Sequence, residues 1–184
     1  EELLLVGTSM GGARPKAVVE DDDGLWIAKF SRPDDKWNQA RVEHSMLLLA
    51  RDCGLTVSTS RVITIGGRDV LLVKRFDREK TDAGYLRARM ISGLTLLRAE
   101  DSHRSRNHAI IAKDRDWKLS PAYDLTPSAP VSLEQRDLAL TCGDQGRFAN
   151  MENLLSQCER FLLNREEAEA IIAEMQEAVG KSWY

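Results

Sequence analysis

The chain has 184 residues, 42% hydrophobic and 30% charged, with a formal net charge of -3 at pH 7. That is enough apolar material for one ordinary globular domain, with too little positive charge for the whole chain to read as a nucleic-acid binder. No apolar run approaches the roughly 20 residues that span a bilayer, and the acidic start, Glu1-Glu2, does not read as a signal peptide.

The first third reads as sheet with one inserted helix. The stretch Gly7-Thr8-Ser9-Met10-Gly11-Gly12-Ala13-Arg14-Pro15-Lys16 carries three glycines and a proline, which exclude a regular element. Strands are expected at 16–20 and 25–30, joined by a turn at Asp21-Asp22-Asp23-Gly24. That acidic run reads as a hairpin tip. A helix is expected over 38–53, where Val42, Met46, Leu49 and Cys53 recur at helical spacing and Gly54 supplies a stop. A second hairpin follows, 61–65 and 68–74 around Gly66-Gly67, and then Arg75-Phe76-Asp77-Arg78. The spacing predicts a helix over 86–98. A third hairpin is expected from 109–113 and 117–119. Toward the C-terminus, Met151, Leu154, Leu155, Cys158, Phe161 and Leu162 predict one amphipathic helix. Asn164 with Glu167 forms an N-cap pair for a second. Three cysteines, Cys53, Cys142 and Cys158, lack metal-ligand spacing and read as reduced thiols of a cytoplasmic protein.

Glu43 carries the first chemical signal. Met46, Leu47 and Ala50 place it at the edge of an apolar helix face, where an unpaired carboxylate is costly and a cation is expected. Lys29 follows Leu25 and Ile27 at period two on a strand face, so it is the natural partner. A strand lysine paired with a helix glutamate is how protein kinases hold ATP phosphates. A snorkelling lysine would look the same in isolation. The glycine-rich loop ending at Lys16 could wrap phosphate oxygens with its N–H groups, although it does not match the Walker pattern and also fits a surface turn. Asn107, a hairpin-sized stretch and then Asp124 stand in the order that a kinase-like site uses for its Mg²⁺ ligands, and both offer the hard oxygen donors that Mg²⁺ prefers.

Taken together, these strings resemble the HipA family of bacterial serine/threonine kinases, the toxin half of a toxin–antitoxin pair. The matching strings are Ser9 to Lys16, Trp26-Ile27-Ala28-Lys29-Phe30, Glu43 before Leu47-Leu48-Leu49-Ala50, and Val73-Lys74-Arg75-Phe76-Asp77-Arg78. Arg106-Asn107-His108 and Leu119-Ser120-Pro121-Ala122-Tyr123-Asp124-Leu125 complete the set. The resemblance implies an α+β, protein-kinase-like two-lobe fold, a small sheet-rich lobe followed by a mostly helical one. Residues 1–78 would form the nucleotide-binding part and 79–184 the helical lobe with the metal-binding loop. It further implies that Gly11, Gly12, Ala13, Arg14 and Lys16 cover the nucleotide phosphates. Lys29 would contact phosphate and pair with Glu43. Lys74, Arg75, Phe76 and Tyr123 would lie against the nucleotide at the hinge. Asn107 and Asp124 would hold Mg²⁺, and Ser9 would be the site of autophosphorylation. Implied with these are ATP as co-substrate, an aminoacyl-tRNA synthetase as protein substrate, and a DNA-binding antitoxin as partner.

One departure stands out. The family's catalytic loop reads Asp-x-His-x-x-Asn, whereas Asn107 is preceded by Asp101-Ser102-His103-Arg104-Ser105-Arg106. A shifted loop with Asp101 as base is one reading. The preferred one places 94–105 well before the family's catalytic loop and Arg106-Asn107-His108 at its end. Several helical turns, and the catalytic Asp and His, would then be missing at the Ser105–Arg106 junction, as expected if a stretch of the full-length kinase unit belongs between those two residues. The family also carries an N-terminal subdomain ahead of the glycine loop, expected to be lacking here. A nucleotide-binding module without catalysis, acting through an antitoxin–DNA complex, is the competing function.

Overall fold

A computed structural model describes residues 3–7, 14–98, 107–127, 137–138 and 140–183. Five strands build the main sheet: β1 (Leu4–Gly7), β2 (Lys16–Asp21), β3 (Gly24–Phe30), β4 (Ser60–Ile65) and β5 (Arg68–Lys74). All pairs are antiparallel, in the order β1-β2-β3-β5-β4. The β4–β5 turn has Gly66 and Gly67 at φ of 56° and 76°. Two adjacent positive-φ positions are what a two-residue hairpin of this twist requires.

The tip of the β2–β3 hairpin is tied down by its own acid. The buried Asp21 accepts from the Asp23 N–H at 2.9 Å, from Trp26 Nε1 at 2.8 Å and from Arg61 Nη2 at 2.6 Å. The Arg61 guanidinium also stacks 4.6 Å from the Trp26 ring. So the first acid of the run Asp21-Asp22-Asp23 is a structural clamp between two hairpins.

Strand β5 divides the core by its pleat. Val70 and Leu72 pack with Val19, Trp26 and Ala28 on one face, while Leu71 and Val73 pack with Ala40 on the other. Ala40 belongs to α1 (Gln39–Asp52), which lies on that second face. The Asn38 side chain caps α1 by accepting from the Arg41 N–H. The helix ends in a left-handed Gly54, φ 82°, whose N–H donates to Arg51 O while that of Leu55 donates to Ala50 O. Those two bonds satisfy carbonyls that a helix end leaves open.

The predicted helix over 86–98 is corrected by the structure. Strands β6 (Arg78–Thr81) and β7 (Gly84–Arg87) form a two-stranded ribbon. Then come β8 (Arg89–Ser92) and a single helical turn, α2 (Gly93–Leu97). Strand β8 pairs with β9 (Ala109–Ala112), which pairs on its other edge with β10 (Lys118–Leu119). Ladder pairing with partners up to about twenty residues away claims these backbone groups and overrides a helical periodicity that is only a weak prior. Tyr85 Oη donates to Glu20 Oε1 at 2.8 Å and draws the ribbon onto the main sheet.

The amphipathic helix predicted over 151–162 is also broken, into α3 (Met151–Leu155) and a 3-10 turn at Cys158–Phe161. Asn153 is fully buried. Its Oδ1 accepts from the Gln145 N–H at 2.7 Å and its Nδ2 donates to Phe148 O at 2.7 Å, while Ser156 Oγ accepts from the Asp144 N–H. One side of α3 is therefore committed to a polar loop, and the chain turns at Leu162 (φ 60°) with Phe161 and Leu162 exposed. The Asn164–Glu167 pair caps the long helix α4 (Arg165–Trp183) reciprocally, each side chain accepting from the other's N–H at 2.9 Å. Helix α4 packs on α1, where Cys53 Sγ donates to Met175 O. Among the described residues no helix is long and apolar enough to cross a membrane.

Leu72 has no exposed surface. Leu72→Ala is expected to cost about 3 kcal/mol of folding stability, read as a lowered midpoint in urea unfolding with an unchanged slope.

Candidate functional site

The antiparallel register puts Lys16 directly across from Lys29, and Lys29 across from Leu71. Both lysines line the same cleft under α1. Two ammonium groups side by side on a sheet repel each other unless anions are near. Glu43, one turn along α1 from the buried Ala40, supplies one: Lys29 Nζ donates to Glu43 Oε1 at 2.6 Å. Asp124 supplies another, with Lys29 Nζ donating to its Oδ1 at 2.9 Å.

Asp124 is brought there by a strand-like contact far from it in sequence. After β10, the Ser120 N–H donates to Ala109 O. Ala122 then forms a parallel bridge with Val57, its N–H donating to Thr56 O and its carbonyl accepting from the Ser58 N–H. Two residues later Asp124 takes a left-handed backbone, φ 58°. Asp tolerates that region better than most residues, at a small cost that usually marks a constrained site. Asn107 joins it, its Nδ2 donating to Asp124 O at 3.3 Å.

The cleft measures about 670 Å³ and is lined by Arg14, Lys16, Lys29, Glu43, Asn107 and Asp124 among others. That lies within the roughly 300–1,000 Å³ of small-ligand sites. An adjoining recess of about 220 Å³ shares Lys16, Lys29, Tyr123 and Asp124 and adds the apolar Ile27, Val73, Phe76 and Met90. A polar, cation-rich end therefore opens onto an apolar one.

Electrostatics follow from this layout. Burial works to lower the Lys29 pKa, but Glu43 and Asp124 outweigh it and hold the ammonium above its ordinary range. Burial pushes the Glu43 carboxyl up, and Lys29 opposes that shift. Burial, with the nearby Asp124 charge, also raises the Tyr123 phenol.

The other site residues expected from the sequence fall as follows. Arg14 lines the cleft, yet its guanidinium is engaged by Asp35, a residue no sequence signal pointed to, lying 21 positions away in an irregular loop. Lys74 ends β5 with Nζ 5.7 Å from the Trp26 ring. Arg75 donates through Nε and Nη2 to Asp77 at 3.0 and 2.7 Å, so its charge is largely satisfied within the segment between β5 and β6. Phe76 and Tyr123 stack at 5.7 Å across the recess. Ser9, Gly11, Gly12, Ala13 and Asp101, with the Ser105–Arg106 junction, lie outside the described residues.

Among the described residues no three His, Cys, Asp or Glu side chains gather in a way that could hold a metal ion. Asn107 and Asp124 offer two oxygen donors beside the open cleft. That set fits Mg²⁺, which is bound by few protein ligands and completes its shell with phosphate oxygens and water.

An α+β fold of two lobes, with a lysine–glutamate pair and an Asn/Asp edge at the cleft, defines a protein-kinase-like architecture. The model of the HipA-like C-terminal domain matches residues 8–105 and 88–183, and the chain belongs to that family. Among solved structures, HipA of Shewanella oneidensis MR-1, in complex with HipB and operator DNA of its toxin–antitoxin system, matches with a TM-score of 0.72 at 14% identity. The match covers 96% of this chain and 58% of that one, so the chain spans a little over half the length of this relative. At that identity the likeness speaks for the fold. The Helicobacter pylori proinflammatory kinase CtkA also matches, with a TM-score of 0.46 at 13% identity, over 59% of this chain and 53% of that one. No curated protein sequence matches the chain.

Lys29→Met strands a buried carboxylate at Glu43. Its expected cost is about 3 kcal/mol at pH 7. The raised Glu43 pKa sets the sign of the pH dependence. Below it the group protonates and no longer needs a cation, so the deficit relative to the parent should shrink between pH 7 and pH 4 in urea unfolding. A deficit independent of pH would contradict the pairing energetics.

Proposed function

We propose that the chain is an ATP-dependent serine/threonine protein kinase of the HipA toxin type. The observation that supports this best is Lys29, shared between Glu43 on α1 and Asp124 on the far loop, at the polar end of a cleft whose other end is apolar. In this reading the adenine occupies the recess of Ile27, Val73, Phe76, Met90 and Tyr123. Lys16 and Lys29 meet the phosphates. Glu43 orients Lys29, so that its ammonium is presented without a search over rotamers. Asn107 and Asp124 hold Mg²⁺, which when bound neutralises charge developing on the transferred phosphoryl group.

The finer parts of the reading rest on family membership. Ser9 is the autophosphorylated residue, an aminoacyl-tRNA synthetase is the substrate class, a DNA-binding antitoxin is the partner, and the protein works in the cytoplasm. The solved Shewanella oneidensis HipA was captured with HipB and operator DNA, which supports a partner of that kind.

A second reading has its own observation. Four residues rather than three, counted inclusively of Asn107, follow His103, so the Asp-x-His-x-x-Asn spacing is absent. The family match also comes in two pieces that overlap at 88–105, next to this departure. Without a base beside Asn107 the chain would bind nucleotide and not transfer phosphate.

Incubation of the full-length protein, with whatever residues it carries between Ser105 and Arg106, with γ-labelled ATP and Mg²⁺ separates the two. Label on Ser9, lost by about 100-fold or more in Lys29→Met and Asp124→Asn, is the expected result for a kinase. Saturable ATP binding with no label on Ser9 or any substrate selects the non-catalytic module. Absence of both rejects the site.

A further inference from the structure

Arg14 sits where the chain leaves the β2–β3 ladder. The last regular pair is Lys16 with Lys29, and the Phe30 N–H extends the ladder by donating to Pro15 O at 3.1 Å. One residue further, among the described residues, no backbone ladder bond reaches Arg14. What holds it is Asp35, from the loop that leads into α1. Arg14 Nη1 and Nη2 donate to Asp35 Oδ2 and Oδ1 at 2.8 and 2.7 Å, a two-pronged match of guanidinium to carboxylate. Asp35 is itself fixed, since its Oδ2 also accepts from the Arg32 N–H at 2.8 Å and its side chain is only 8% exposed. Asp35 lines a neighbouring depression rather than the cleft that Arg14 lines.

We infer that Asp35 is a positioning residue for nucleotide binding: it grips Arg14 and so sets the place of Lys16, two residues on, at the phosphate end of the cleft. The inference rests on the nucleotide-binding reading above. A free Arg14 would have a competing partner. Arg14 and Asp124 line the same cleft, and an Arg14 turned toward that carboxylate would compete with Lys29 for its oxygens. Asp35 therefore does two things with one fork. It fixes the backbone beside Lys16, and it keeps a third cation away from Asp124. The Arg14 and Arg32 contacts hold the Asp35 carboxyl down at about 2. A depressed carboxylate pKa stabilises above its unfolded value and loses that effect only as pH falls through the folded one. The grip is thus complete at neutral pH and persists to about pH 3.

The test is a double-mutant cycle on the full chain, titrated with a fluorescent methylanthraniloyl-ATP in the presence of Mg²⁺. Asp35→Asn and Arg14→Gln are each expected to raise Kd about tenfold, and the double variant to bind no worse than either single one. Asp35→Glu should recover most of the affinity. Arg14→Lys keeps the charge and loses the fork. It should also raise Kd about tenfold, and it decides the matter if Asp35→Asn does not fold. Losses that add in the double variant would mean that Arg14 contacts phosphate on its own account. That result, or a Kd for Asp35→Asn or Arg14→Lys within twofold of the parent, overturns the inference while leaving the nucleotide reading intact. A parent chain that does not bind the analogue overturns the nucleotide reading itself and the inference with it.

Discussion

The ammonium of Lys29 is the point on which the arrangement depends. It is mostly buried and is reached by carboxylates from two other segments, 14 and 95 positions away in the chain. A buried charge is stable only when its partners arrive with good geometry. Strand β3, helix α1 and the loop after β10 must therefore all be in place before Lys29 can be. The same requirement keeps the cleft polar at one end: the groups that neutralise Lys29 are the ones left facing any ligand that enters.

The surrounding structure can be understood as support for that geometry. The pleat of β5 puts Leu71 and Val73 under α1, which fixes the height of the helix and with it Glu43. The Asp21–Trp26–Arg61 clamp locks the hairpin that carries Lys29 from the opposite end. The short parallel bridge between Val57 and Ala122 delivers Asp124, with its left-handed backbone, to where its carboxylate meets Lys29. These supports are backbone hydrogen bonds, apolar contacts and one further ion pair, and the fold they build is shared with Shewanella oneidensis HipA at 14% identity. Cores tolerate exchange among apolar side chains of similar volume.

Local signals were legible where a few neighbouring residues decide the outcome. The three hairpins carry turn residues between alternating runs. Helix α1 has Asn38 and Gly54 at its ends, and Asn164 with Glu167 marks the start of α4. They were misleading where a distant partner decides. Residues 86–92 have a helical pattern but are claimed by β6 and β9, and the apolar spacing of 151–162 is interrupted by the buried Asn153 and its loop.

The candidate site divides in the same way. Period two on β3 and the helical spacing around Glu43 were enough to bring Lys29 and Glu43 to facing surfaces, because both follow from the geometry of a single element. The order of Asn107 and Asp124 was likewise visible along the chain. That Asp124 also reaches Lys29, that Asn107 rests on the Asp124 carbonyl, and that Arg14 is held by Asp35 could be decided only by the folded chain. Those contacts join residues whose spacing carries no period, and they form only when separate elements pack. A single element's repeat determines which way a side chain faces, while tertiary packing determines what it meets.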